Sequence, residues 1–435
     1  MARQRLLSRT PPHHRFIDIE SDTQFSDAWV VLGVLLLFLG LVLQNVFLTA
    51  VAAALLVVAA TSWLWNALSL VGLHYERQLS EIRAFRGETI NLVLMVRNQK
   101  ILPLTWLSIV DRFPVELPVN ASKVMVNATT NLGEFHTFWM PGAFQRLQRS
   151  FQIQCSERGF YTFGPSVVTT GDGFGLFSRR ATLMERQRLI VYPHLYRAAD
   201  LRLPRKNPFG SQGARGRLFD DPLRTVGIRA WQPADSLHHV HWKATARQQQ
   251  LLSRAFEPSA EVQVLIFLNV ATLVRHWHGY IPELLERVVS VAGSLAALAA
   301  EQRLPVGLIA NGALPNSDQP IRVMPGRSPD QLLHILELLA AVTNFATGPI
   351  EEMLLREAPR APWGATLVLV TAIAHEALLA ALLDLARAGR RVVLFTLAEE
   401  PPVALMPGIM VYHLPHLVND LLTPTLVQDA ETLVL

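Results

Sequence analysis

Among 435 residues there is a single cysteine, Cys155. That excludes an internal disulfide framework and any cysteine-based zinc cluster, and it fits a reducing compartment. Charge is also scarce. Only 17% of residues are Asp, Glu, Lys or Arg, against about 25% in an ordinary soluble domain. The shortage is uneven: from Ala28 to Leu73 there is no Asp, Glu, Lys, Arg or His. A net charge of +4 is too small to argue for a nucleic-acid partner. Phosphate-loop and nucleophile-elbow motifs are absent. Gly210-Ser-Gln-Gly213-Ala-Arg-Gly216 is glycine-rich but does not fit a phosphate-binding turn between a strand and a helix. No catalytic residues and no cofactor are predicted.

The uncharged stretch is where the hydrophobicity sits. A bilayer core takes roughly 20 apolar residues per helix, so 28–73 holds about two spans. The break is expected at Gln44-Asn45, giving helices over 28–43 and 46–68, the first short for a span. Trp29, Trp63 and Trp65 sit near the rims, as an aromatic belt requires. Arg3, Arg5, Arg9 and Arg15 precede the pair, and Arg77, Arg83 and Arg86 follow it, while the connecting turn carries no basic residue. The basic flanks therefore predict a multi-pass plasma-membrane protein with both termini, and the bulk of the chain, in the cytoplasm. Two spans without an ionisable side chain give no ion pathway, which argues against a channel or transporter role.

After a short N-terminal cytoplasmic segment (1–27) and the helical hairpin (28–73), the pattern is β-like over 75–197. Strand-like runs at 89–96, 105–110, 123–127, 149–155, 166–169 and 188–192 are separated by turn signals, with Asn98-Gln99-Lys100 as one turn. This predicts an all-β, sandwich-like domain. From 261 to 435 the pattern alternates. Apolar strands at 262–268, 305–310, 366–371 and 391–397 are interleaved with helices at 281–299, after Ser328-Pro329-Asp330-Gln331, and at 374–388, which ends at Gly389. Such alternation predicts a parallel α/β sheet of the Rossmann type with helices on both faces. Ser328 is read as the cap of its helix, with Gln331 completing a capping box. Residues 198–260 connect the two and are rich in Arg, Gly and Pro.

The connecting segment carries a recognisable pattern. Gly227-Ile228-Arg229-Ala230-Trp231-Gln232-Pro233-Ala234-Asp235, followed by His239-Val240-His241-Trp242-Lys243-Ala244-Thr245-Ala246-Arg247, resembles the signature of the domain-of-unknown-function-58 family. Arg158–Pro165, Asp172–Phe177 and Val191-Tyr192-Pro193 resemble further landmarks of that family. The resemblance implies a membrane-anchored protein with a β-rich segment and a von Willebrand factor A-like domain. It also implies a frequent partner, a MoxR-type AAA+ ATPase, and no established reaction. Arg229, Trp231, Pro233, Asp235, Trp242, Lys243 and Arg247 are its signature or partner-binding candidates. Trp231 and Trp242 are expected to be buried anchors or, alternatively, a docking surface. Asp235 is expected to pair with Lys243 or Arg247. His238, His239 and His241 lack the further ligands a zinc site needs.

A-like domains often hold Mg²⁺ through Asp-x-Ser-x-Ser after the first strand and an Asp after a later one. Here those positions fall on Asn269, Ala271, Leu273 and Ala372. Neither Asn269 nor Thr371 supplies the carboxylate charge a hard dication wants, so a degenerate site and no metal are predicted, with Thr272 the one spare hydroxyl. The function expected is a non-enzymatic adaptor binding protein partners, working with a MoxR-type ATPase in protein-complex maturation. The alternatives are a cell-envelope assembly factor acting through the β domain, and a metal-dependent adhesion or enzyme module.

Overall fold

The uncharged stretch forms two apolar helices, α1 (Ala28–Val42) and α2 (Val46–Leu68), in the computed structural model of the chain. The structure describes residues 17–23, 28–120, 124–126, 133–204, 209, 220–232, 240–258, 263–274, 279–315, 317–362, 364–398, 400–401 and 406–418. The break falls at the predicted amides: Gln44 takes a left-handed φ of 47°, and the Asn45 side chain caps α2 by accepting from the Leu48 N–H at 3.2 Å. Gly40 permits the close approach of the two helices, since a Cβ there would lie 2.7 Å from Thr49 Oγ1. With 23 residues α2 is long and apolar enough to cross a membrane. At 15 residues α1 is shorter than a bilayer span ordinarily needs, so one helix rather than two meets that criterion.

Two cations close the far end of α2. Arg179 Nη1 donates to the Ala67 carbonyl at 2.9 Å, and Lys100 Nζ donates to Val71 O at 2.9 Å and to Ser69 O. Positive charge against orphan C-terminal carbonyls is the favourable sense of the helix dipole.

The chain divides into two units, Met1–Tyr192 and Pro193–Leu435. Among the described residues the first contains twelve strands: β1 (Ile17–Thr23), β2 (Leu73–Leu79), β3 (Arg83–Phe85), β4 (Thr89–Asn98), β5 (Leu107–Phe113), β6 (Met125–Val126), β7 (Gly133–Trp139), β8 (Arg146–Gln154), β9 (Gly159–Phe163), β10 (Ser166–Gly171), β11 (Phe177–Leu183) and β12 (Gln187–Tyr192). They form sheets of order β1-β11-β10-β5-β7-β6, β2-β4-β8 and β3-β12-β9. One core unites them: Leu92 and Leu94 of β4, Ile109 of β5, Phe135 of β7 and Phe163 of β9 are all fully buried within it. Strict alternation, as in β5 and β7, gives each strand one dry face.

Two details differ from the sequence reading. Asn98-Gln99-Lys100 does not join a hairpin, because β4 pairs with β2 and β8 while β5 pairs with β7 and β10. Buried Asn98 instead donates to Leu102 O and Gly142 O, tying the crossover between sheets. And β1, which precedes α1, pairs antiparallel with β11, so part of the N-terminal segment belongs to the β-rich unit.

In the second unit β13 (Asp220–Ala230) and β14 (Leu252–Pro258) form an antiparallel hairpin that encloses the short helix α3 (Trp242–Gln248). Beyond it come β15 (Gln263–Leu268), α4 (Pro282–Glu301), β16 (Val306–Ala313), β17 (Pro320–Gly326), α5 (Gln331–Ala341), α6 (Ile350–Glu357), β18 (Ala365–Thr371), α7 (Glu376–Arg387), β19 (Arg391–Thr396) and β20 (Ile409–His413). The sheet order is β17-β16-β15-β18-β19-β20, parallel throughout except for the antiparallel edge strand β17. Side chains of β15 alternate between two cores. Val264, Ile266 and Leu268 pack with α4 and α5; Leu265 and Phe267 pack with α6 and α7. Helices thus cover both faces, which explains the continuous apolar strands.

The predicted capping box at Ser328 does not form. α5 begins at Gln331 after Asp330, with no side-chain cap. The Gln331 side chain donates instead to Val306 O and Met324 O, carbonyls at a register shift in the β16–β17 ladder. A register shift leaves carbonyls without ladder partners, and the Gln331 amide supplies one to each.

Candidate functional site

Ligands of open α/β sheets bind outside the carboxyl ends of the strands, and Asn269 stands just beyond the end of β15. It is 1% exposed. Its Nδ2 donates to Thr371 Oγ1 at 3.0 Å, and its Oδ1 accepts from Asn311 Nδ2 at 2.9 Å and from the Ala271 N–H at 3.1 Å. Asn311 Oδ1 accepts from the Val270 N–H at 2.8 Å, and its Nδ2 also reaches Gly348 O at 3.2 Å. Thr371 Oγ1 donates to Ile373 O at 2.7 Å. The result is a closed hub in which both lone pairs of Asn269 Oδ1 are occupied.

The remaining predicted positions fall around this hub. Ala271 and Leu273 are half-buried and Ala372 is buried, none offering a donor atom. Thr272 spends its hydroxyl accepting from the Ile281 N–H at 2.9 Å, which closes the loop after β15. Among the described residues no group of three or more His, Cys, Asp or Glu side chains could hold a metal. Asn311 is absent from the sequence reading, although the signal was there. It is a lone amide inside the otherwise apolar run of β16, and a buried polar residue in such a strand calls for a dedicated partner. In the loops that follow β15 and α5, Val274 is 68% exposed and Phe345 62%, with Tyr280 and Ile281 also exposed.

The signature segment gives a mixed outcome. Trp231 is half-buried and its backbone N–H donates to Leu251 O at 2.9 Å. Trp242, expected as a buried anchor, is 65% exposed. The reason is local: α3 packs on the hairpin through Val240, which is buried, and Thr245, whose hydroxyl accepts from the Leu252 N–H at 3.1 Å, and Trp242 is left outward. Arg229, Lys243 and Arg247 are exposed. Pro233, Asp235, His238 and His239 lie outside the described residues, and so does the expected Asp235 ion pair. His241 is a helix cap, with Nδ1 accepting from the Ala244 N–H at 3.1 Å, which puts its neutral-form proton on Nε2.

A second buried polar centre lies in the β-rich unit. Arg77 Nη1 donates to Asp111 Oδ1 at 3.0 Å, Nη2 to Phe163 O at 3.1 Å, and Nε to Gln187 Oε1 at 3.3 Å. Tyr75 and Ser166 hydroxyls also donate to the Asp111 carboxylate. Burial raises the Asp111 carboxyl, while Arg77, Ser166 and Tyr75 pull it down; burial and Asp111 together hold the Tyr75 phenol well above its usual range. Asp111 is wholly buried and no substrate could reach it without opening the core, so this centre fixes sheet-to-sheet packing.

Comparison with known proteins bears on the second unit. Residues 227–400 match the family described as "Protein of unknown function DUF58". A Bacillus subtilis (strain 168) protein, "Uncharacterized protein YeaD", is 24% identical over 275 residues, 63% of each chain. Residues 227–400 carry a DUF58 segment. The hub and most of the signature hairpin lie inside the matched DUF58 segment. The aligned region spans just under two thirds of the Bacillus relative's length. Solved structures give only partial likenesses. A CARDB domain from Pyrococcus furiosus is 11% identical, covering 27% of this chain and 86% of that one, with a TM-score of 0.18. The Pseudomonas fluorescens alkylpurine DNA glycosylase AlkC is 14% identical, covering 34% and 39%, with a TM-score of 0.19. Scores so low carry no argument about this chain.

Proposed function

We propose that this DUF58 chain is a non-enzymatic, membrane-anchored adaptor that binds protein partners and works with a MoxR-type AAA+ ATPase in protein-complex maturation. The observation that carries the reading is the carboxyl edge of the sheet. Its buried amide and hydroxyl groups are satisfied among themselves, while the loops at its rim expose Val274, Tyr280, Ile281 and Phe345. Exposed apolar clusters of this kind are how monomers present protein-binding faces. The signature hairpin adds Ile228, Trp242 and Leu251, all exposed, beside Arg229, Lys243 and Arg247. Aromatic and arginine side chains are the residues enriched at interface centres.

The second unit is read as a von Willebrand factor A-like domain whose ligand edge contacts protein without a bridging cation. The parallel sheet, its antiparallel edge strand and Asn269 at the end of β15 support that reading. α1 and α2 are read as a transmembrane hairpin. Support comes from β1 ahead of α1 and β11 after α2 pairing in one sheet, which puts the chain on the same side before and after the pair. The basic flanks then make that side cytoplasmic.

The test is affinity purification of the tagged full chain in detergent, alongside Phe345→Asp and Val274→Asp variants. Enrichment of a MoxR-type ATPase with the parent chain and its loss with the rim variants is the expected result. Equal recovery from parent, variants and a tag-only control would overturn the reading.

A further inference from the structure

The turn Asp172–Phe177 is a sequence landmark that the adaptor reading leaves without a task. Its carboxylate is spent on its own backbone: Asp172 Oδ2 accepts from the Phe174 N–H at 3.1 Å and Oδ1 from the Phe177 N–H at 2.9 Å. The turn so fixed presents Phe174 outward, 68% exposed. Behind it, against the end of α2, is a cavity of 260 Å³ lined by Thr61, Ser62, Trp65, Thr105, Asp172 and Phe174. That is smaller than the roughly 300 Å³ at which drug-sized pockets begin, and suits a fragment of a larger amphiphile.

The polar inventory of the wall is specific. Thr61 donates to Val57 O and Thr105 to Gly171 O. Two groups remain: Ser62 Oγ, on a residue 2% exposed, and Trp65 Nε1 are buried with no hydrogen-bond partner. An orphan donor in an apolar setting calls for an acceptor. Ser62 and Trp65 stand six and three residues before the end of α2, about 9 and 5 Å along its axis, which is where a span meets the interface. Trp63, between them, is exposed, as an interfacial belt requires.

We propose that this cavity holds one membrane glycerophospholipid, whose ester carbonyl accepts from Trp65 Nε1 and Ser62 Oγ while the adjoining acyl chain fills the apolar remainder. Phe174, on its stapled turn, covers the entrance. The occupant must be amphiphilic, because the cavity pairs two donors with an apolar wall at the depth of the lipid esters. The site rests on α2 being a membrane span and is independent of any ATPase.

The experiment uses the full chain in a maltoside detergent, titrated with 1-palmitoyl-2-oleoyl-phosphatidylglycerol and read by native mass spectrometry. One tightly retained lipid per chain is expected. The Ser62→Ala/Trp65→Phe double variant should retain it about tenfold more weakly, two neutral hydrogen bonds being lost, and Trp63→Phe should leave retention unchanged. A diether analogue lacking both carbonyls should bind the unaltered chain as weakly as the ester lipid binds the double variant, an arm independent of how any variant folds. Equal retention of ester and diether lipids, or equal losses in the double variant and Trp63→Phe, would overturn the site. Flotation with liposomes separates the two claims. A chain that floats but fails the lipid test loses only the site, and a chain that does not float loses the span and the site together.

Discussion

Replacing Asp111 with alanine should unfold the β-rich unit far more readily than any surface change. The substitution removes the acceptor of Arg77, Tyr75 and Ser166 at once, with Arg77 only 3% exposed and Asp111 wholly buried. Arg77 would keep carbonyl partners at Phe163 and Glu185, but its charge would be uncompensated. Breaking a buried pair by removing one partner costs about 3–5 kcal/mol. For a unit of this size each kcal/mol moves the melting midpoint by roughly 2–4 °C, so a fall of about 10 °C is expected. Thermal proteolysis of the full chain in detergent, following the protease-resistant β-rich fragment, reads it. An Arg180→Ala control on an exposed position should stay within about 0.5 kcal/mol of the parent. The Arg77→Met/Asp111→Leu pair should recover much of the loss, since a well-packed apolar pair often substitutes for a buried ion pair. If Asp111→Ala melts with the Arg180→Ala control, the Arg77–Asp111 centre does not hold the β-rich unit together.

Three further outcomes are expected. Asn269→Asp puts a carboxylate oxygen where Nδ2 donates to Thr371 and should destabilise the second unit by about 1–3 kcal/mol; denaturant titration would show an unchanged midpoint if the hub is not as described. Cys155 is fully buried, and burial with Glu88 and Glu81 pushes its thiol up to about 11, so maleimide should label it in denaturant and not in the folded chain; topology must therefore be probed with an introduced cysteine. Burial lowers Lys100 to about 8, so at pH 8 about half of it is the neutral amine, against well under a tenth of an ordinary lysine. Mass-spectrometric mapping after brief acylation at that pH should find Lys100 among the first lysines modified, and equal or slower modification than Lys243 would contradict it.

The sequence was most legible where one physical signal dominated. Helix ends at 28–43 and 46–68 could be read within a residue because the uncharged run and one amide pair left few choices. Four of the five described parallel strands of the second unit were equally plain, since burial on both faces demands unbroken apolar runs; the half-exposed edge strand β20 lacks such a run and was not seen. The β-rich unit was harder. Its strands were partly visible, but β4 and β5 lie in different sheets, and pairing among many short strands depends on non-local contacts that alternation cannot reveal. At the candidate site Asn269 and Thr371 could be picked out directly as polar residues at the ends of apolar strands, whereas the Asn311 amide that completes the hub comes from another strand. Trp242 shows the opposite limit: composition favoured burial, and a seven-residue helix turned it outward.

Whether the exposed apolar side chains at the carboxyl edge bind an ATPase partner can be decided by equilibrium binding. The full chain in lipid nanodiscs would be titrated with the purified MoxR-type ATPase of the same organism, and Phe345→Asp compared with Arg180→Ala. Saturable binding is expected, weakened at least tenfold by Phe345→Asp and unchanged by Arg180→Ala. Absence of saturable binding, or identical affinities for the two variants, would contradict it.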